Sequence, residues 1–437
     1  MGDGAGPSGS GITPEAFVAA WPSVVRALLT ITGSADDAEE FAAEAFARAA
    51  EQSEPPVSLC AWCVAAGRRA WIDTVRRRVV AERVTEQIAR SAVDPGGVDL
   101  TDPGSGGVDD ADPGDAGWGP GIDDRIALMF VACDDELTEG ARLVLALRLV
   151  CGLRTADIAR LLGIEPATAA ARLTRAKRTL ASARPGFRLA DRSQRRLRLP
   201  TVLDCLSLMF THGHRVDFVP RDALTDTASA ALGIVDDLVG MYPDDTEVRG
   251  LRAVMRLGLA RRAGRVDDGG AAVPACEVDR TRWDRRMVAA GLDDASRAAT
   301  APGRFALEAA IAGLHCSPAE FDRIDWAAMV TLYRALEAVW PSPAVVVARA
   351  VAVSYATGTD AMLESELTDI VESGPAYAAR DAALALADIE WRDGRTADAR
   401  QRYHDLAEST LPDPVLRFCR RRSGSARGEG RGVTRSA

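Results

Sequence analysis

Residues 91–124 set the first limit on what this chain can fold into. They carry nine acidic side chains, no basic ones, and the tripeptide Asp-Pro-Gly three times. Such a stretch has too little apolar surface to offset the entropy of ordering it, and repeated Pro-Gly steps interrupt both helix and strand. A flexible acidic linker is expected there, with apolar residues buried in separate bodies on either side. The length of 437 residues agrees with two to four domains.

Both sides read as helical, so the expected fold class is all-α. Before the linker, residues 13–90 form one domain, with helices expected over 14–32, 35–51 and 59–89. The stretch "TGSADD" supplies a turn, an N-cap and acidic residues for the next first turn. Phe41 and Phe46 fall on one face of the second helix. After the linker, residues 125–183 are helical with turns near 133–136, 152–154 and 163–166. Residues 184–198 form a basic connector. Residues 199–421 alternate helical segments with Gly/Pro turns and lack strand signals, and 422–437 read as a disordered tail. Within 199–421, Ala383, Leu386, Ala387, Ala399, Tyr403 and Ala407 precede Pro412 and approximate the tetratricopeptide pattern. An earlier stretch, "YRALEAVWPSPAVVVARAVAVSYATG", has the same helix–Pro–helix rhythm.

The net charge of −10 argues against nucleic acid until its distribution is read. Residues 142–198 hold 14 Arg or Lys against 3 Asp or Glu, so this segment is +11 and the remainder −21. A basic block in an acidic chain marks a local polyanion site. It contains "LRTADIARLLGIEPATAAARLTRAKRTL" (153–180), with helix-turn-helix spacing. Thr155 is the expected N-cap of a bracing helix whose apolar stripe is Ile158, Ala159 and Leu162. Gly163 suits the turn and Pro166 the next first turn. Ala169, Leu173, Ala176 and Leu180 share one face of the second helix. Arg172, Arg175, Lys177 and Arg178 remain for bases or phosphates. Lys177 is the one lysine in the chain. On spacing alone, a packed helix pair with a charged outer face stays an open alternative.

Other chemistries find little support. Cys60 and Cys63 have CxxC spacing without a second pair, and are expected in a half-buried helix. The four histidines are dispersed, with His212 and His214 expected in a loop. No phosphate loop or nucleophile elbow appears, so neither an enzyme nor a cofactor is expected. No apolar run reaches membrane-spanning length and the N-terminus lacks signal-peptide character, which points to the cytoplasm.

The segment 152–180 resembles region 4 of sigma-70-family sigma factors, which reads the −35 promoter element. "IDDRIALMFVACDDELTEGARLVLALRLVCGL" resembles the start of that region in the extracytoplasmic-function (ECF) group. "SADDAEEFAAEAFARAAE" and "AWCVAAGRRAWIDTVRRR" are similar to successive parts of region 2. "LPTVLDCLSLMF" and "DRTRWDRRMVAAGL" resemble the tetratricopeptide-like C-terminal extension of one ECF subgroup. The resemblance implies two small helical sigma domains joined by the acidic linker and followed by that extension. It implies binding to core RNA polymerase, through its β′ and β subunits, and to promoter DNA, with no membrane partner. By the same resemblance Thr168, Arg172, Arg175, Lys177 and Arg178 would serve the −35 element. Arg68, Arg69, Trp71, Arg76 and Arg77, with Arg78 beside them, would serve the −10 element, where cations and aromatic faces hold unstacked bases. Asp37, Glu40 and Phe46 would dock on β′. Leu143, Leu147 and Leu149 would offer an apolar surface to the β flap, though all three also suit a core. Asp268, Gly269 and Gly270 match a loop expected to be regulatory, and the extension would regulate the sigma module in cis.

The chain also departs from the family. Ala171 stands where a base-reading polar residue is usual, and the run Ala169–Ala171 is expected to leave the groove-facing turn bare. "ACDD" (132–135) and "THGH" (211–214) replace the subgroup's motifs. Two rival readings are a helix-turn-helix regulator that is not a sigma factor, and an interaction scaffold dominated by its repeats.

Overall fold

The computed structural model describes residues 12–52, 54, 56–91, 123–183, 192–216 and 220–424. The linker but for its ends, the connector up to 191, and 425–437 lie outside the described residues. Regular structure among the described residues is helical, apart from an isolated bridge between Val266 and Ala272. The chain divides into two compact units, one comprising residues 1–205 with 222–225 and the other 206–221 with 226–437.

The first unit begins with α1 (Pro14–Thr32), α2 (Ala35–Ala50) and α3 (Leu59–Ser91), which pack on one another. α1 starts where Thr13 Oγ1 accepts from Ala16 N (3.2 Å) and stops at Gly33. Trp21, Val24, Val25, Leu28 and Leu29 form its buried face. Removing each large apolar side chain from water contributes roughly 1.5–3 kcal/mol. α1 is, by length and composition, the one helix among the described residues apolar enough to cross a membrane, which corrects the expectation that no such run exists. Here its apolar face is taken up by the core. Ser34 caps α2 by accepting from Asp37 N (3.2 Å).

The second half of this unit is α4 (Asp124–Ala132), α5 (Glu139–Leu149), α6 (Thr155–Leu162) and α7 (Pro166–Ala183), followed by the start of α8 (Arg192–Val216). α4 packs on α1 and α5, while α5, α6 and α7 pack together. Asp134 and Asp135, within the "ACDD" segment, both pair with Arg198 of α8, at 3.0 and 3.1 Å. The basic connector is thus helical from Arg192 onward.

The second unit contains the end of α8 and then α9 (Thr227–Met241), α10 (Thr246–Ala260), α11 (Arg285–Ala298), α12 (Arg304–Cys316) and α13 (Trp326–Val339). It closes with α14 (Pro343–Thr357), α15 (Ala361–Ser373), α16 (Ala376–Arg392), α17 (Thr396–Ala407) and α18 (Asp413–Ser423). From α9 onward each helix packs on its neighbours in the chain. Ala387, Ala399, Tyr403 and Ala407 are buried in one cluster with Ala383 against it, while Leu386 is buried in a second cluster with Leu363, Leu367 and Ile389. The last helix extends to Ser423, past the expected start of the tail. His212 and His214 lie inside α8 rather than in a loop. The ring of His214 stacks on Phe210 at 5.2 Å. Burial and the nearby Arg265, Arg261 and Arg262 push its pKa down to about 2.

Candidate nucleic-acid interface

The α6–α7 pair has the geometry of a helix-turn-helix. Gly163 caps α6 in the left-handed region (φ 63°), and Ile164 N donates back to Ala159 O at 3.0 Å. Only glycine takes this conformation without strain, so the turn follows from the residue. The N-cap is Arg154 rather than Thr155, which is the first helical residue; no side chain caps this end, and Arg154 Nε instead bonds Asp157 Oδ2 (2.8 Å). Ile158, Ala159 and Leu161 are the buried residues of α6, with Leu162 only half-buried.

On α7 the buried positions are Ala169, Leu173, Ala176, Lys177 and Leu180. Among the exposed positions are Ala167, Ala170, Ala171, Thr174, Arg175 and Arg178. Successive members are three or one residue apart and so form one stripe along the helix. Ala169 is fully buried and belongs to the core, so of the run 169–171 only Ala170 and Ala171 lie on the exposed stripe. Arg175 Nε donates only to Ala171 O, one turn back (3.2 Å), and both Arg175 and Arg178 project from the stripe. Arg172 is half-buried against Gly140, and Thr168 is half-buried. Thr174 stands beside Arg175 on the stripe and was not foreseen. Its position seven residues after Ala167 was the available signal.

Lys177 departs from the expected role. Its side chain is 9% exposed, and its Nζ lies 2.7 Å from Glu39 Oε2 and 2.8 Å from Asp36 Oδ1. Glu39 Oε1 accepts from Arg148 Nε at 2.6 Å. Burial alone would raise the Glu39 carboxyl, but Arg148 and then Lys177 outweigh it and hold it below the ordinary glutamate value. Lys177 is therefore committed to an internal cluster and turned away from the stripe that Arg175 and Arg178 share.

The α3 band is more open. Arg69, Arg76, Arg77 and Arg78 are exposed, while Arg68 and Trp71 are half-buried. Arg77 holds itself by bonds to Asp73 O and Thr74 Oγ1, each 3.2 Å. Trp62 is half-buried. Cys60 and Cys63 are free thiols on the same helix, and burial pushes Cys63 up to about 11, which leaves little thiolate near neutral pH. On α2, Glu40 is exposed and Asp37 partly so, with Arg78 Nη2 4.0 Å from Asp37 Oδ1. Phe46 is 5% exposed and packs against Phe17 and Trp21, with centroids at 4.9 and 5.7 Å. It is a core residue in this arrangement, not a docking contact. Leu143, Leu147 and Leu149 are likewise buried.

In the second unit, the Asp-Gly-Gly turn is organised by the residue before it. Asp267 Oδ1 accepts from Gly269 N (3.0 Å) and Ala271 N (2.9 Å), and its Oδ2 pairs with Arg421 of α18 (2.5 Å). The Ala271 amide, then Arg421, hold its carboxyl below the ordinary aspartate range. Arg417 Nη1 donates to Gly269 O (3.0 Å), and Ala272 N to Pro414 O (2.8 Å). Asp268 and Gly269 are exposed, Gly270 half-buried. The turn is thus fastened to the last helix, and Asp267 rather than Asp268 does the fastening.

Residues 128–180 match the family described as sigma-70, region 4. Residues 198–299 match a family of unknown function, DUF6596. The "Uncharacterized protein R00370" of Rhizobium meliloti (strain 1021) is 34% identical over 353 residues, covering 80% of this chain and 81% of that protein. No solved structure matches the chain.

Proposed function

This chain belongs to the family of that Rhizobium meliloti protein and carries a sigma-70 region 4, and from that premise we propose that it is an ECF-type sigma factor that directs core RNA polymerase to a two-part promoter. The observation that carries the reading is the exposed stripe of α7, ending in Arg175 and Arg178, on a helix-turn-helix that matches region 4. Thr168, Arg172, Arg175, Thr174 and Arg178 serve the −35 element. Their arginines supply forked donors to phosphate or guanine. Arg68, Arg69, Trp71, Arg76 and Arg77 on α3 serve the −10 element. Asp37 and Glu40 of α2 meet the polymerase β′ subunit.

The C-terminal unit acts in cis as a tetratricopeptide-like regulator, with the Asp267–Gly270 turn as one of its working parts. Action on polymerase and promoter places the protein in the cytoplasm. Sigma factors hold and open DNA without covalent chemistry of their own, so no catalytic residue is assigned.

Run-off transcription with purified core polymerase, on a promoter upstream of this protein's own gene, tests the reading. A start-site-specific transcript that needs the protein supports it. Failure to co-purify with core polymerase, combined with specific DNA binding by the chain alone, would move the assignment to a helix-turn-helix regulator.

A further inference from the structure

The second unit holds a hollow of 410 Å³ that promoter recognition does not use. Pockets for small molecules run from about 300 to 1,000 Å³. This one lies where three groups of core residues come together. Trp326 and Tyr333 belong to the first, Val347 and Ala385 to the second, and Tyr403 and Phe418 to the third. Part of its wall is aromatic. Trp326 and Tyr355 stack at 4.4 Å with 14° between their planes, and Phe321 meets Tyr355 edge-on at 5.3 Å. Much of the rest is short and aliphatic, with Ala348, Val351, Ala352 and Leu384. Ring surfaces beside short aliphatic side chains suit a flat apolar molecule.

Charge decides what that molecule can carry. Asp381 and Asp388 line the hollow, but both are already matched. Asp381 pairs with Arg215, and Asp388 Oδ2 accepts from Arg392 Nε (2.9 Å) and Tyr355 Oη (3.5 Å). Among the described residues no arginine or lysine lines the hollow. Burial, then Arg261 and Arg280, bring the His315 pKa down to about 4, so its ring is neutral. A charged ligand would lose its water there without gaining an unspent counter-charge. Hydrogen-bonding groups are present all the same. Tyr333 and His315 both line the hollow, and among the described residues neither the Tyr333 hydroxyl nor the His315 ring makes a hydrogen bond. Burial pushes Tyr333 up to about 12, so its hydroxyl keeps its proton. Two unspent polar side chains match a ligand with one or two polar atoms. They fall short of a peptide, which brings a donor and an acceptor at nearly every residue.

We propose that this hollow is a binding site for an uncharged aromatic small molecule, seated against Phe321, Trp326 and Val351 and hydrogen-bonded by Tyr333. The segment 272–276, just after the Asp267–Gly270 turn, forms part of the wall, as do Val415 and Phe418 of α18. A bound molecule therefore touches both the chain leaving that turn and the helix that fastens it. Its effect on transcription rests on the cis-regulator reading, but the site itself does not.

The probe is N-phenyl-1-naphthylamine, an uncharged aromatic amine whose emission rises in apolar surroundings, titrated into the full-length chain. Saturable binding is expected, at least about tenfold tighter than that of 8-anilino-1-naphthalenesulfonate, the same skeleton with a sulfonate that would have to be desolvated. Tyr333→Phe removes a hydroxyl that nothing in the fold uses, so the melting temperature should hold while affinity falls about 2–10-fold. Val351→Trp fills the hollow and should abolish saturable binding. Should that variant fold poorly, the exposed thiol of Cys276 in the wall takes its place. The probe should slow alkylation of Cys276 by iodoacetamide several-fold, read by mass spectrometry, and leave that of Cys60 in the first unit unchanged. Absence of saturable binding overturns the site, and equal affinity for the sulfonate overturns its preference for an uncharged ligand. Affinity unchanged in Tyr333→Phe overturns the assigned hydrogen bond. Binding that survives Val351→Trp, or that leaves Cys276 as reactive as before, lies elsewhere and overturns the site. None of these readouts needs polymerase, so failure of the site and failure of the sigma reading are told apart.

Discussion

Replacing Arg175 and Arg178 together by alanine isolates the charge of the α7 stripe from its fold. Both side chains are exposed, and among the described residues the side-chain bond they show is Arg175 Nε to the carbonyl one turn back. Neither lies over the buried row Ala169, Leu173, Ala176 and Leu180. The double substitution should therefore change unfolding free energy by less than about 1 kcal/mol, as surface substitutions do. DNA binding should respond differently. Each neutralised phosphate contributes a slope of about 0.9 to the dependence of log affinity on log salt. Loss of two contacts lowers the slope by about 1.8. Between 50 and 200 mM salt, a roughly fourfold change, the native holoenzyme should then lose about tenfold more affinity than the variant does. Fluorescence anisotropy of labelled promoter DNA with reconstituted holoenzyme, over a salt series, measures both slopes. An unchanged slope, with the variant's melting curve also unchanged, would refute the claim that this stripe meets the DNA backbone.

Three further outcomes follow from other groups. Asp294 is buried and accepts from Arg252 Nε and Nη2 (2.8 and 2.6 Å) and from Arg256 Nη1 (2.8 Å), so Asp294→Asn should leave two cations underpaired and cost the second unit about 3–5 kcal/mol, read by urea unfolding. Because the Glu39 pKa is lowered on folding, its contribution is fully present above the ordinary value of about 4.5 and is lost as pH falls through the lowered one; unfolding of the native chain should weaken with acid there, and Glu39→Gln should weaken less steeply. Asp267→Ala should loosen α18 and speed proteolysis near Arg417 and Arg421, whereas Asp268→Ala, at an exposed position, should leave the digestion pattern as it was.

How much of this was legible in the residues depends on the kind of signal. The helix-turn-helix was legible because its determinants are local. Gly163 forces the turn, Pro166 opens the next helix, and Ala169, Leu173, Ala176 and Leu180 repeat at helical steps. The internal cluster was not, because its partners are 109 residues apart for Glu39 and Arg148. Even so, one clue was present. Lys177 lies four residues after Leu173 and three before Leu180, so it falls on the core-facing row, where an unpaired ammonium would be costly. A buried counter-charge had to exist somewhere. Phe46 carried the same kind of clue, since Ala42, Ala45 and Ala49 around it are also buried. The THGH stretch misled for a different reason. Gly213 resembles a turn residue, but a Cβ there would collide with Thr227 and Ala228 of α9; its smallness serves close helix packing instead.

The alanine run of α7 carries the argument about selectivity one step further. With Ala169 in the core, Ala167, Ala170 and Ala171 are the bare positions of the stripe, with Thr168 among them and Thr174 and Arg175 after as side chains long or polar enough to meet a base edge. Two short threonine hydroxyls and the forked guanidinium of Arg175 give few discriminating hydrogen bonds, each good bidentate pair being worth about 1–3 kcal/mol. On the proposed reading, phosphate contacts by Arg175 and Arg178 would add affinity without adding sequence information. On that reading, a −35 reader built this way would bind its element loosely in sequence terms, and promoter choice would lean on the α3 band, where Arg69, Arg76 and Arg77 are exposed and Trp71 stands half-buried among them. Mismatches in the −10 element should therefore cost this protein more transcription than equal numbers of mismatches in the −35 element.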